Sequence, residues 1–246
     1  MVAELTEAQL LSVWESGSGQ GPRDRALLLA RTAAGDAETA AGDGVADLTL
    51  AGLHALLLGF RERAFGSSLP CAADCPACGE PLEVAVETAE LRPPAPAAVP
   101  GARPAPPTGS FRAGGRDVTY RALTLRDLLA VAGGGRDSRR ALLQRCVVGT
   151  SPEAGPLPGR VLEEVARRLP GVDPGAETTV ALECPGCGHT WSAELDVAGH
   201  LWAEIEGYAR RLLYEVHALA RAYGWTEQDV LAVSPARRRF YLEAAG

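Results

Sequence analysis

The chain has 246 residues, 46% of them hydrophobic, so it can bury a substantial core and is not disordered throughout. Its formal net charge of −7 argues against a dedicated nucleic-acid binder, whose affinity depends on a basic face. No apolar run approaches the roughly 20 residues of a membrane span, and the N-terminus lacks the basic start and apolar stretch of a signal peptide. These features predict a cytoplasmic protein without a membrane span.

All 24 basic residues of the chain are arginine. Lysine and asparagine, which have AT-rich codons, are both absent, and this bias is typical of a GC-rich, bacterial genome. The number of arginines is therefore weak evidence for a binding site.

The first predicted element is an N-terminal helical region over residues 1–69. Thr6 and Gln9 have the spacing of a capping box that opens one helix, and Pro22 is placed to begin a second. A third helix is predicted between positions 48 and 65, where apolar residues recur at helical spacing just before the first cysteines.

Five further regions follow in chain order. They are a first zinc-ribbon half (70–90), a Pro-rich linker (91–118), an inserted helical region (119–175), a second zinc-ribbon half (176–196) and a C-terminal helical region (197–246). Closely spaced prolines predict that the linker is extended and semi-rigid. In the C-terminal region, apolar residues in steps of three or four form one helical stripe, and Gly224 is a natural terminator.

Two pairs of cysteines share one local sequence. Cys75 and Cys78 lie in Cys-Pro-Ala-Cys-Gly, and Cys184 and Cys187 lie in Cys-Pro-Gly-Cys-Gly. In such a turn both sulfurs point to one side, the proline fixes the turn, and the glycine permits the positive φ that closes it. Each pair supplies half of a tetrahedral thiolate site. Together they predict one structural Zn²⁺ in a split Cys₄ zinc ribbon made of two β-hairpin knuckles.

Other roles for the cysteines fit the sequence less well. A redox motif would need one pair in a βαβ setting, and disulfides would need an exported protein. Cys71 and His189 lie near the pairs and are alternative zinc ligands, which the sequence leaves open. Cys146 lies among apolar residues and is predicted to be a small buried thiol.

No sequence motif indicates catalysis. The glycine run at 133–135 lacks the flanking strand and the lysine of a phosphate-binding loop, and there is no nucleophile elbow. Four thiolates would also close the shell of the zinc, whereas a catalytic zinc keeps an open position. We therefore predict a non-enzymatic protein without a small-molecule substrate.

Three stretches together resemble a known group of proteins. They are residues 57–66 with 75–80, residues 184–191, and residues 202–227 with the Arg-Arg-Arg-Phe-Tyr-Leu ending at 237–242. The group is encoded in tailed-phage and phage-tail-like contractile injection gene clusters and is similar to T4-type baseplate hub assembly proteins. The resemblance implies a chaperone-like structural or assembly protein with baseplate or hub proteins of a contractile tail as its partners. Whether it stays in the finished particle is left open.

Candidate partner-binding residues lie near the end of the chain. Trp225, Phe240 and Tyr241 are apolar anchors for a partner, and Arg238 would orient the contact. The alternative is that these aromatics close the core of the protein itself.

The sequence thus predicts a mainly helical α+β protein in which the split ribbon joins the N- and C-terminal helices. The alternative function is a zinc-ribbon DNA-binding transcriptional regulator that uses the last two helices as a helix-turn-helix. Its main support is the run of three arginines at 237–239.

Overall fold

The computed structural model of the protein describes residues 6–35, 44–92, 105–131, 133, 135–152, 155 and 157–245. The chain divides into two compact units. Unit 1 consists of residues 1–20 and 199–246, and unit 2 consists of residues 21–198. Residues 93–104 of the predicted linker lie outside the described residues.

Helices make up most of the described structure. They are α1 (Glu7–Gly17), α2 (Pro22–Ala34), α3 (Leu50–Phe65), α4 (Thr88–Leu91), α5 (Leu125–Ala130), α6 (Ser138–Cys146), α7 (Gly159–Val172), α8 (Val197–Tyr223), α9 (Glu227–Ala232) and α10 (Pro235–Ala245). Two short 3₁₀ helices lie at Gly44–Asp47 and Gly135–Asp137. Within the described ranges, no helix combines the length and the hydropathy needed to cross a membrane.

The strands form three small antiparallel sheets. They are β1 (Ser68–Asp74), β2 (Pro81–Glu87), β3 (Thr108–Ala113), β4 (Arg116–Arg121), β5 (Val147–Ser151), β6 (Thr179–Glu183) and β7 (Thr190–Glu194). β1 pairs with β2, β6 pairs with β7, and β4 is the middle strand of a three-stranded sheet with β3 and β5. The prediction of a mainly helical α+β protein is therefore confirmed.

Helix starts follow the capping signals in the sequence. The Thr6 hydroxyl accepts from the backbone N–H of Gln9, and the Gln9 side chain accepts from the backbone N–H of Thr6, which is the predicted capping box of α1. Pro22 is the first residue of α2, where its missing N–H leaves no hydrogen bond unmade. Gly224, with φ +71°, follows the last residue of the 27-residue helix α8.

The predicted linker is wrong from residue 108 onward. β3 and β4 form a hairpin there, and its turn is made by Gly114 and Gly115, both with positive φ. Val118 and Tyr120 of β4 face the core, so this segment does contribute buried apolar residues. The inserted region likewise contains the strand β5 in addition to helices.

In unit 2, a hydrophobic cluster lies between the three-stranded sheet and two helices. Its buried members come from β4, α6 and α7: Val118, Tyr120, Leu143, Cys146, Val161, Leu162 and Val165. In the same unit, α3 is buried along its length through Leu53, Leu57, Leu58 and Phe60.

Unit 1 is helical in its described residues. Leu11 of α1 is buried with Ala209 and Leu212 of α8, and Tyr208 and Leu231 are partly buried against them. The first helix of the chain is thus packed with its last helices, 190 or more residues away in sequence.

Candidate metal centre

The two cysteine turns have the same backbone geometry. In the first, Cys75 N–H donates to the carbonyl of Glu80 at 2.9 Å, and Gly79 N–H donates to the carbonyl of Cys75 at 2.8 Å. In the second, Cys184 N–H donates to the carbonyl of His189 at 2.9 Å, and Gly188 N–H donates to the carbonyl of Cys184 at 2.8 Å. Each turn closes a two-stranded hairpin, β1–β2 or β6–β7.

The positive φ that the sequence predicted is present in both turns. Gly79 has φ +77° and Gly188 has φ +70°. A side chain at either position would be strained in this conformation. The glycine after the second cysteine therefore fixes the shape of each turn.

The four cysteine sulfurs converge at one point. Their Sγ atoms all lie within 4.8 Å of one another. Sγ of Cys75 is 3.7 Å from Sγ of Cys187, and Sγ of Cys78 is 3.6 Å from Sγ of Cys184. A disulfide would require about 2.05 Å, whereas four ligands at about 2.3 Å from a tetrahedral Zn²⁺ are about 3.8 Å apart. The sulfur spacing fits a shared metal ion and not a pair of disulfides.

The inner half of the centre is shielded from solvent. Cys75 and Cys184, the first cysteine of each turn, are buried and pack with Leu82, and Trp191 lies partly buried against them. The second cysteine of each turn, Cys78 or Cys187, is exposed. Because the first cysteine of each pair is enclosed, the two hairpins hold two sulfurs inside and present two at the surface.

Backbone N–H groups of the first turn favour the thiolate form of Cys75. Burial opposes ionisation of this thiol, but hydrogen bonds from the turn outweigh it and lower the pKa of Cys75 to about 7. The pKa of Cys78 rises to about 12. The backbone at Glu80 favours its thiolate, but side-chain hydrogen bonds with Cys187 and Cys184 favour its protonated form more strongly. A metal ion binds the thiolate form, so its binding would displace these protons.

The first hairpin is anchored on the C-terminal end of α3. Nη1 of Arg61, a buried side chain, donates to the carbonyl of Gly66 at 2.6 Å, where the helix gives way to β1. Glu62 forms an ion pair with Arg92, and the hydroxyl of Thr88 donates to the same carboxylate. These contacts hold both ends of the β1–β2 hairpin against the helix.

The second hairpin is anchored at the other end of the same helix. Asp173, 7% exposed, accepts from the hydroxyl of Thr49 at 3.1 Å and from the backbone N–H of Ala51 at 3.2 Å. Nδ1 of His54 lies 3.1 Å from the hydroxyl of Thr178, the residue before β6. Burial lowers the pKa of His54, so its imidazole is neutral at neutral pH.

Sequence reasoning did not identify these anchoring residues. His54 and Asp173 lie 119 positions apart and share no motif. The one local signal is Thr49, which has the residue type of a helix N-cap directly before α3. A carboxylate at a helix N-terminus is favourable, but the sequence does not tell which of the 31 acidic residues occupies that place.

The other candidate ligands lie outside the sulfur cluster. Cys71 is in the middle of β1, opposite Val84, and His189 stacks on Trp191 with ring centroids 5.9 Å apart. Neither belongs to the group of four converging ligands. Cys146 is fully buried in the cluster of unit 2, as predicted, and burial raises the pKa of its thiol to about 11.

The predicted partner-binding residues fall into two classes. Phe240 is 67% exposed, and Trp225 and Tyr241 are half-buried beside it. Arg238, by contrast, is only 2% exposed and forms ion pairs within unit 1, so the prediction that it contacts a partner is wrong. The guanidinium of Arg238 binds carboxylates of α1 and α8. The next arginine along the chain, Arg239, is exposed to solvent.

Comparison of the chain with known protein families, with curated proteins and with solved structures gives no match.

Proposed function

We propose that the four cysteines bind one structural Zn²⁺ and that the two hairpins together act as a split zinc ribbon. The observation that carries this proposal is the convergence of four sulfurs within 4.8 Å. A tetrahedral set of four thiolates selects zinc or an iron–sulfur centre, and the absence of an open position fits a metal that stabilises the fold.

The proposed metal would connect two distant parts of unit 2. Cys78 and Cys184 are 106 positions apart, and the two hairpins belong to separate sheets. An isolated two-stranded hairpin is marginally stable in water. A zinc ion shared between two such hairpins would give each one a partner that its own strands do not supply.

Metal analysis tests this proposal directly. We expect purified protein to contain about one zinc per chain, and we expect the double substitution Cys75→Ser/Cys184→Ser to abolish binding. Cys71→Ser is the matched control, because it removes a thiol from the same hairpin outside the cluster and should retain the metal. Full zinc retention in the double variant would exclude these residues as ligands.

For the biological role, we propose a non-enzymatic structural or assembly protein of a phage tail baseplate or contractile injection system. The sequence resemblance suggests this role, and an exposed aromatic surface supports it. The C-terminal aromatic cluster consists of Tyr223, Trp225, Phe240 and Tyr241. The ring centroids of Trp225 and Tyr241 are 5.0 Å apart, and those of Phe240 and Tyr241 are 5.8 Å apart.

The cluster has the properties of a protein-binding surface. Tyr223 is 41% exposed and Phe240 is 67% exposed, although both are large and apolar. Edge-to-face contacts fix Tyr241 between its neighbours, and the Tyr223 hydroxyl donates to the Tyr241 carbonyl at 3.1 Å. Aromatic side chains held rigidly at a surface lose little conformational freedom on binding and are enriched among interface hot spots.

The alternative of a DNA-binding regulator has less support. Of the three arginines at 237–239, the central one is buried and ion-paired, so the run does not offer three cations to a phosphate backbone. The chain also carries a net charge of −7. A nucleic-acid surface would need several unpaired cations on one face.

Substitution of Phe240 tests the role in assembly. We expect Phe240→Ala to weaken binding of the baseplate partner by about tenfold or more and to reduce the number of intact contractile particles when the gene is replaced in its bacterial host. Electron microscopy of the particles measures the result.

Tyr214→Ala is the matched control, because Tyr214 is a 75% exposed aromatic of α8 that makes no ring contact with the cluster among the described residues. Normal particle numbers with a folded Phe240→Ala protein would contradict a role of this surface in assembly.

A further inference from the structure

A surface cavity of about 440 Å³ lies between the β3–β4 hairpin and α7 in unit 2. Phe111 and Arg112 line it from the hairpin, and Arg160, Arg167 and Arg168 line it from the helix. The volume is within the range of about 300–1,000 Å³ that small-molecule sites occupy. None of these residues belongs to the metal centre or to the C-terminal aromatic cluster.

The cavity is strongly basic. Four arginines line it, and Glu164 is the one acidic residue among its lining residues. The charge of the lining is therefore about +3, in a chain whose net charge is −7. Codon bias explains how many arginines the chain has, but not why four of them surround one cavity.

Two of the four arginines have no partner among the described residues. Arg167 and Arg168 both form ion pairs with Glu164. Arg112 and Arg160 form neither an ion pair nor a side-chain hydrogen bond with any part of the chain that the structure describes. An unpaired guanidinium has five N–H donors free to bind oxygen atoms of a ligand.

Some other arginines of the same unit bind acidic side chains. Arg121 and Arg145 both bind Asp127, whose side chain is fully buried, and Arg139 forms two hydrogen bonds with Glu163. Arg23, Arg31 and Arg140 of this unit likewise show no partner among the described residues, so what distinguishes the cavity is the convergence of four arginines.

One wall of the cavity is aromatic. The guanidinium of Arg168 lies over the Phe111 ring, 5.0 Å from the ring centroid. The rings of Phe111 and Tyr120 meet edge to face with their centroids 5.8 Å apart. The ring is thus fixed on one side by the core and offers an apolar surface beside the cations. This combination suits a ligand with an anionic group and an organic part.

We propose that this cavity binds a small organic phosphate, with Arg112 and Arg160 as the ligands of its phosphate oxygens and Phe111 in contact with its organic part. The planar guanidinium fork matches two oxygens of a phosphate, which makes arginine a strong phosphate ligand. A compact ligand fits better than a nucleic acid, because a long polyanion would meet the net negative charge of the chain beyond the cavity. The ligand is bound and not transformed in this proposal.

Calorimetric titration of the full-length, zinc-loaded protein with adenosine triphosphate and with pyrophosphate tests the proposal. We expect saturable binding of adenosine triphosphate, weakened by about tenfold or more in Arg112→Gln/Arg160→Gln. Pyrophosphate, which has no organic part to contact Phe111, should bind less tightly. Arg210→Gln/Arg221→Gln is the matched control, because it removes the same charge from exposed positions of α8 and should bind like the unchanged protein.

Three outcomes would overturn the proposal. One is the absence of saturable binding of adenosine triphosphate, and another is an equal loss of affinity in the two double variants. The third is that a single-stranded oligonucleotide binds more tightly than adenosine triphosphate, with a steep salt dependence, and is not displaced by it. Arg112 and Arg160 are exposed and make no ion pair with the described residues, so the variants should fold. Each single substitution serves as a second test.

Discussion

Removal of the metal proposed for the four-cysteine centre is expected to lower the unfolding temperature of unit 2 by more than about 10 °C. Structural zinc contributes on the order of 10 kcal/mol to the folding of small zinc-finger peptides. In a unit of this size, each kcal/mol corresponds to about 2–4 °C. Contacts with α3 and the hydrophobic cluster would retain part of the stability, so we expect a large decrease and not complete unfolding at room temperature.

Differential scanning calorimetry of the full chain, before and after treatment with a strong chelator, measures this effect. Cys184→Ser should reproduce the effect of the chelator, because it removes a proposed ligand that is only 1% exposed. Cys71→Ser makes the same sulfur-to-oxygen replacement in β1, outside the cluster, and should leave the unfolding temperature unchanged. If the metal is demonstrably lost and the unfolding temperature does not change, the contacts with α3 hold the hairpins without it.

Substitution of Arg238 by methionine is expected to lower the free energy of unfolding of unit 1 by about 3 kcal/mol. The Arg238 guanidinium donates to both carboxylate oxygens of Glu7, at 2.6 and 2.7 Å, and to Glu215 at 2.9 Å. It also donates to the carbonyl of Val233 at 2.8 Å. Methionine fills a similar volume but leaves two partly buried carboxylates without their cation, which is the costly outcome.

Urea denaturation followed by tryptophan fluorescence is a suitable measurement. Three of the four tryptophans, Trp14, Trp202 and Trp225, belong to unit 1, so the signal reports mainly on this unit. Arg239→Met is the matched control, because it removes the neighbouring but exposed arginine and should change the free energy of unfolding by less than about 0.5 kcal/mol. An equal effect of the two substitutions would contradict the role of the ion pairs.

The same ion pairs predict a pH dependence. Burial would raise the pKa of Glu7, but the hydrogen bonds from Arg238 and Tyr208 outweigh it and hold this pKa below the ordinary value of 4.5. A carboxyl group whose pKa is lowered by folding stabilises the protein above its unfolded pKa and loses this contribution as the pH falls through the folded value. We expect unit 1 to lose stability below about pH 4.5, and we expect Arg238→Met to flatten this dependence.

Some features of the protein are determined by short stretches of its sequence. The two Cys-Pro-x-Cys-Gly stretches specify turns with the same hydrogen bonds and the same positive φ at Gly79 and Gly188, so the four converging residues were predictable. The capping boxes that begin with Thr6 and Thr226 likewise mark the starts of α1 and α9. In each case the determining atoms lie within six residues of one another, and the chain needs no distant partner to adopt the geometry.

Other features were decided only by the tertiary structure. The run of three arginines does not reveal that the middle one is buried, because its partner Glu7 lies 231 positions earlier in the chain. The Gly- and Pro-rich surroundings of β3 concealed a hairpin whose strands are stabilised by pairing and by burial of Val118 against α6 and α7. Likewise, Asp173 contacts Ala51 and His54 contacts Thr178, and each of these pairs joins residues that are 122 or 124 positions apart. These interactions depend on which segments pack together in the folded protein. A local pattern of residue types does not specify which distant residues become neighbours.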